Sequence, residues 1–178
     1  MHRACWVAAV MLLFPTAARG DDHKADLYFG VAYAEGSNLW GLHQAFAFTL
    51  NGTGRFAHDF SIVGDVSQHF GSNDGSTATR VSYLTGPRWT IALRNPQHKL
   101  LPHVLIGTVH QNDNGVDTTD FAAAIGGGWE YVLHPPSSDQ SSSGLGFRVN
   151  ADYVVRKGDA DNYPRVSVGV IYRFKKNP

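Results

Sequence analysis

The chain has little of what would stabilise or functionalise a small protein by covalent or metal chemistry. Of its 178 residues one is cysteine, Cys5, and it lies close to the N-terminus. Neither a disulfide framework nor a cysteine metal site can therefore be built downstream of it. Long apolar runs are equally scarce. The stretch Ala4–Pro15 is too short to cross a hydrocarbon layer as a helix, which takes about 20 residues, and no later run reaches that length. Charge is sparse too, 17% of residues, with 15 basic against 15 acidic and no basic cluster. That balance argues against nucleic acid as a partner.

The beginning of the chain has the layout of an export signal. His2 and Arg3 precede the apolar stretch, and Thr16-Ala17-Ala18-Arg19-Gly20 follows with small residues before Asp21-Asp22. We expect residues 1–20 to be a signal peptide and residues 21–178 to form one domain. Cys5 stands at the start of the apolar run, whereas a lipid-bearing cysteine would stand at its end.

From Ala25 onward the sequence alternates between bulky apolar and small or polar residues, in stretches of about ten broken by Gly, Asn, Asp, Ser and Pro. Leu27, Phe29, Val31 and Tyr33 oppose Asp26, Tyr28, Gly30, Ala32 and Ala34. Leu42, Phe46, Phe48 and Leu50 oppose His43, Ala45, Ala47 and Thr49. Phe60, Ile62, Val66 and Phe70 oppose Ser61, Asp65, Ser67 and His69. Val81, Tyr83, Trp89 and Ile91 oppose Ser82, Gly86, Arg88 and Thr90. A stretch from Leu100 to His110 leaves its facing open. Phe121, Ala123, Ile125, Trp129 and Tyr131 alternate with Ala122, Ala124, Gly126, Gly128 and Glu130. Phe147, Val149, Tyr153 and Val155 oppose Arg148, Asn150 and Asp152. The last stretch sets Val166, Val168, Val170, Tyr172 and Phe174 against Arg165, Ser167, Gly169 and Arg173.

Eight such strands with short connections predict an all-β fold, an eight-stranded antiparallel up-and-down barrel. The Gly-, Ala- and Ser-rich face suits the narrow interior, and the aromatic-aliphatic face suits lipid, so the expected barrel is transmembrane. Tyr33, Trp40, Trp89, Trp129, Tyr131, Tyr163, Tyr172 and Phe174 fall near strand ends, where interfacial girdles form. With the N-terminus on the periplasmic side, 51–55, 95–99 and 134–144 are expected as periplasmic turns, and 35–39, 71–79, 111–119 and 157–162 as external connections.

On these strands the sequence resembles the small outer-membrane β-barrel domain family, the OmpA-like transmembrane barrels. The residues that carry the likeness are Ser61-Ile62-Val63-Gly64-Asp65-Val66-Ser67, Gly86-Pro87-Arg88, Phe121 through Glu130, Arg148 through Tyr153, and Ser167 through Phe174. The resemblance implies a bacterial outer-membrane location and no shared catalytic residues. It also implies two partners, outer-membrane lipid and the outer-membrane assembly machinery. Family members typically end on an aromatic residue, whereas here Lys175-Lys176-Asn177-Pro178 follows Phe174.

Six charged residues, Asp65, Arg88, Glu130, Arg148, Asp152 and Arg173, fall on expected inner faces. Isolated buried ions cost several kcal/mol, so a plug of salt bridges is expected there, with Glu130 paired to Arg88 or Arg148. A gated pore or proton path is the alternative use of the same charges. The histidines show no metal spacing, although His69, His103 and His110 could converge. Asp113, Asp117 and Asp120 lack the ligand pattern of a calcium loop. Ser67 and His69, two apart on one strand, are the residues a lipid-modifying barrel enzyme would use. We expect no enzyme, no cofactor and no metal, and a structural or surface-contact role through external loops whose ligand the sequence does not name. The alternative is a soluble periplasmic or secreted lipocalin-like barrel that holds a small apolar ligand.

Overall fold

The computed structural model describes residues 23–35, 39–49, 60–73, 76–95, 97–113, 115–133, 144–157 and 162–175. The expected signal segment, the expected turn at 51–55 and all of the expected turn at 134–144 except Gly144 lie outside them. The strands are β1 (His23–Ala34), β2 (Leu39–Thr49), β3 (Phe60–Asn73), β4 (Ser76–Trp89), β5 (Ile91–Ala92), β6 (His98–Asp113), β7 (Val116–Val132), β8 (Gly144–Arg156) and β9 (Tyr163–Lys175). β5 continues β4 after a break at Thr90: Ile91 pairs with Leu100 in the register that pairs Arg88 with His103. Counted as one, β4 and β5 make the strands of the barrel eight, as the alternation predicts.

Every neighbouring pair is antiparallel, and each strand follows its sequence neighbour around the sheet. The seam is made by the first and last strands, with Gly30 opposite Gly169 and His23 opposite Lys175. Both ends of the described chain therefore sit at one end of the barrel, called here the terminal end.

The strand period of two decides which side chains meet across the lumen. In β1, Tyr28 is 0% exposed and its neighbour Phe29 50%. The same alternation runs through β8, where every second residue from Gly144 to Arg156 is buried. Outside, Val, Leu, Ile and Phe side chains stand exposed around the whole circumference; inside lie small residues and charges. Aromatic pairs cluster towards the two rims: Tyr33 with Trp40 at the end opposite the termini, and Phe60 with Trp89 and Tyr172 with Phe174 at the terminal end.

The structure settles the facing left open in the Leu100–His110 stretch. Leu101, His103, Leu105 and Val109 point inward, and Leu100, Val104 and Ile106 outward. Large apolar residues on both faces had hidden the polarity.

Two expectations are corrected. Tyr163 does not belong to a girdle: it is buried in the lumen, because in β9 the odd positions face inward, Tyr163 with Arg165, Ser167 and Arg173. The external connections expected at 71–79 and 111–119 are mostly strand. Gly71 pairs with Ala78 and Asn73 with Ser76, while Gln111 pairs with Thr118 and Asp113 with Val116. A ladder needs only backbone donors and acceptors, so polar side chains there mark water outside, not the end of pairing. The β6–β7 hairpin turns through Gly115 at φ 82°, a left-handed conformation that glycine adopts without steric cost.

Candidate functional site

The chemistry-bearing residues of the barrel gather in its lumen, and the structure places all six sequence-selected charges there, each nine-tenths or more buried. It does not arrange them as one cluster. Near the terminal end four of them join Asp26 in an alternating chain, Arg88–Asp26–Arg148–Glu130–Arg173. Arg148 lies directly across from Glu130 on β7 and β8, and its Nε and Nη2 donate to Glu130 Oε2 at 3.2 and 2.8 Å. Its Nη2 also reaches Asp26 Oδ1 at 3.3 Å. Arg88 Nη1 donates to Asp26 Oδ1 at 3.2 Å, and Arg88 Nη2 pairs with the other oxygen of that carboxylate. Of the two partners expected for Glu130, Arg148 is present. Arg88 instead reaches across the lumen to β1, and Arg173 occupies the second oxygen of Glu130.

A second chain crosses the middle of the barrel, His43–Asp65–Arg165–Asp152–His103. Arg165 is its centre: Nη1 donates to Asp65 Oδ1 at 2.8 Å and to Ser67 Oγ at 3.0 Å, and Nη2 donates to Asp152 Oδ2 at 2.7 Å. His43 Nε2 stands 2.5 Å from Asp65 Oδ2, and His103 Nε2 stands 2.6 Å from Asp152 Oδ1. The far side of His43 is held by Ser167 Oγ at 2.7 Å, which also accepts from Tyr28 and Asn150 at 3.1 and 3.2 Å. Ion pairs with hydrogen bonds on the remaining lone pairs are the arrangement that makes buried charge tolerable.

Glycine makes room for these side chains. A Cβ at Gly126 would strike the Asp152 carboxylate, and one at Gly128 the Asn150 amide. Between the two chains a cavity of ≈ 20 Å³, room for about one water, is lined by His43, Asp65, Arg88, His103, Arg148 and Asn150 among others.

Asp26, His43 and Arg165 were not among the residues singled out from sequence, and His103 was named only as one of three histidines that could converge. The signal existed for three of them, since Asp26, His43 and Arg165 stand on the polar side of their own alternation. His103 lay on the stretch of open facing.

The remaining candidates are dispersed. Ser67 bonds to Ser82 at 2.6 Å and to Arg165, with no hydrogen bond to His69. His69 and His103 point inward but His110 points outward, where it bonds to Thr119. Asp113, Asp117 and Asp120 bond separately to Gln111, Asn112 and Arg156. Among the described residues no group of three or more His, Cys, Asp or Glu side chains is placed to hold a metal ion.

No protein-family model matches the chain, and no curated protein matches it in sequence. Solved structures do. The chain is similar to Ail, the attachment invasion locus protein of Yersinia pestis, at 18% identity and a TM-score of 0.58, covering 86% of this chain and 100% of that one. The same Yersinia pestis outer membrane protein in a phospholipid bilayer nanodisc matches at 18% identity and a TM-score of 0.51, covering 85% and 99%. Neisserial surface protein A, NspA, matches at 10% identity and a TM-score of 0.55, covering 85% and 94%. At such identities the likeness is one of fold.

Proposed function

We propose that the chain is an integral bacterial outer-membrane barrel, not an enzyme, that makes surface contacts through the end opposite its termini and is plugged by its own buried charges. The observation that carries this reading is the inverted distribution of side chains. Phe29, Phe48, Ile106, Phe121, Phe147 and Val168 are among the exposed residues, while Asp65, Glu130, Arg148 and Arg165 are buried. In water, an apolar belt of that extent would be covered by a partner or would aggregate. A bilayer covers it on all sides at once, and the strands of 11 to 17 residues are long enough for a tilted crossing of about 9–11.

The fold likeness to an outer-membrane protein studied in a bilayer and to a bacterial surface protein supports the same location and a contact role. The filled lumen speaks for a plug over a channel, since an eight-stranded barrel has room for side chains only. It also speaks against the lipocalin-like alternative, because the cavity between the charge chains is far below the roughly 300 Å³ of a small-molecule site.

Membrane fractionation of cells expressing the full chain tests the location: the protein is expected in the outer-membrane fraction, released by detergent and not by high salt. A matched pair of variants tests the facing. Val168→Arg, at the middle of β9, is expected to cost roughly 2–4 kcal/mol of barrel stability in lipid vesicles. Val116→Arg, exposed at the β6–β7 hairpin tip, is expected to stay within about 0.5 kcal/mol of wild type. Equal costs would overturn the membrane reading.

A further inference from the structure

A third layer of charge lies in the lumen beyond the two chains, towards the end opposite the termini, and it is built differently. Arg80 of β4 and Arg156 of β8 converge on a single neutral acceptor. Gln111 Oε1 takes Arg80 Nε at 3.2 Å and Arg156 Nη1 at 2.6 Å. The guanidinium of Arg80 lies 4.2 Å from the ring centre of Tyr163. One carboxylate joins the layer, Asp120, which pairs with Arg156. Asp113, exposed, accepts from the amide nitrogen of Gln111.

The other buried guanidiniums, those of Arg88, Arg148, Arg165 and Arg173, each meet a carboxylate. Among the described residues, Arg80 meets none within ion-pair distance. Counting guanidiniums and carboxylates among the described residues, the terminal-end chain has three against two and the central chain one against two. Among the described residues the third has two guanidiniums against one paired carboxylate, Asp120, with the exposed Asp113 at its edge.

The same layer concentrates unused hydrogen-bonding capacity. Arg80 Nη1, Arg156 Nε, the Tyr163 hydroxyl and both ring nitrogens of His69 are buried without a partner. His69 is the direct cross-strand neighbour of Arg80, on the same inner face. A buried polar group without a partner bears its full desolvation cost, and more when charged, so four such side chains in one layer are expected to have a ligand. A water would satisfy the donors but not the charge. A tetrahedral oxyanion satisfies both, since guanidinium forks and hydroxyl donors suit its several acceptor oxygens.

We propose that this layer is a binding site for a phosphate or sulfate group, with Arg80 and Arg156 as the charged ligands and Tyr163 and His69 as neutral hydrogen-bond partners. Gln111 and Asp120 are partly exposed, so the layer opens towards that end of the barrel. The anion can be free or the terminal group of a larger glycan; the donors recognise the same oxygens in both cases. This inference does not depend on the membrane reading.

Titration calorimetry on the detergent-refolded full chain tests it with two probes, inorganic phosphate and glucose 6-phosphate, each against sodium chloride at matched ionic strength. We expect saturable binding of phosphate. Arg80→Gln should weaken it about ten- to a hundred-fold, the loss expected for one charged hydrogen-bonding group. Tyr163→Phe, which keeps the ring against Arg80, should weaken it several-fold while circular dichroism reports an intact barrel. Arg94→Gln, at an exposed position near the terminal end, should bind as wild type. If glucose 6-phosphate binds as well as or better than phosphate, the natural source is an ester on a glycan; if only phosphate binds, it is the free ion. Absence of saturable binding to either probe, or unchanged binding in both Arg80→Gln and a folded Tyr163→Phe, overturns the proposal.

Discussion

The two chains of buried polar groups each have five members and alternate carboxylates with nitrogen donors, but they end in different chemistry. The outer members described are Arg88 and Arg173 in the terminal-end chain and His43 and His103 in the central chain. A guanidinium offers a carboxylate a fork of several N–H donors, whereas an imidazole offers it a single ring nitrogen. The centres differ as well. Arg148 shares the first chain's two carboxylates with a second arginine on each, so every acid has two cations. In the second chain Asp65 and Asp152 have one guanidinium between them, that of Arg165. The first chain is redundant, and the second hangs on one residue.

The largest expected effect comes from that residue. Arg165→Met leaves two buried carboxylates facing each other without a cation, and should lower unfolding stability in detergent by about 3–5 kcal/mol, the cost of breaking a buried pair. Arg88→Met in the first chain should cost clearly less, about 1.5–3 kcal/mol, because Asp26 keeps Arg148. Urea unfolding of the refolded barrel measures both, and equal losses would abolish the contrast.

Next in size is Glu130→Gln, expected at about 1.5–3 kcal/mol. Double-mutant cycles sharpen the assignment within the first chain: Glu130 should couple to Arg148 and to Arg173, while its coupling to Arg88 stays within the roughly 0.5 kcal/mol at which separate sites simply add. Coupling to Arg88 alone would mean that the chain is connected differently. The smallest effect is expected at an imidazole end. His103→Gln keeps a donor for Asp152 and should cost only about 0.5–1.5 kcal/mol, less than Arg88→Met at the end of the other chain. A larger cost at His103 would reverse the ranking of the two ends.

Much of this barrel is written in its alternation, because a strand with lipid or water on one side and a narrow lumen on the other leaves each position one kind of residue. Tyr28 and Phe29 are told apart by the parity of their neighbours alone. Leu101 and Leu105 are not, since a lumen that needs filling accepts leucine as readily as lipid does. The choice of partners was less legible than the faces. Glu130 and Arg148 are cross-strand neighbours, and neighbours follow from strand order. Arg88 and Asp26 lie on strands that face each other across the barrel, and Arg173 meets Glu130 from the strand beyond β8; those meetings depend on how the closed sheet curves. Arg165 went unselected despite its correct parity, because the start of a strand is where parity is least certain. The hairpin extensions were misread for a related reason: their side chains report the solvent, while their backbones obey the ladder.

The seam between β1 and β9 gives the molecule a particular order of completion. Every other strand pair joins segments close in the chain, but this one joins His23 to Lys175 and Gly30 to Gly169, so the ring can be finished only once the final strand has been made. Until then the sheet has two raw margins, the free sides of β1 and β8, each a row of unanswered amides. A chain stopped before Tyr163 would thus be an open ribbon, with no way to shut itself, instead of a barrel lacking one eighth of its wall.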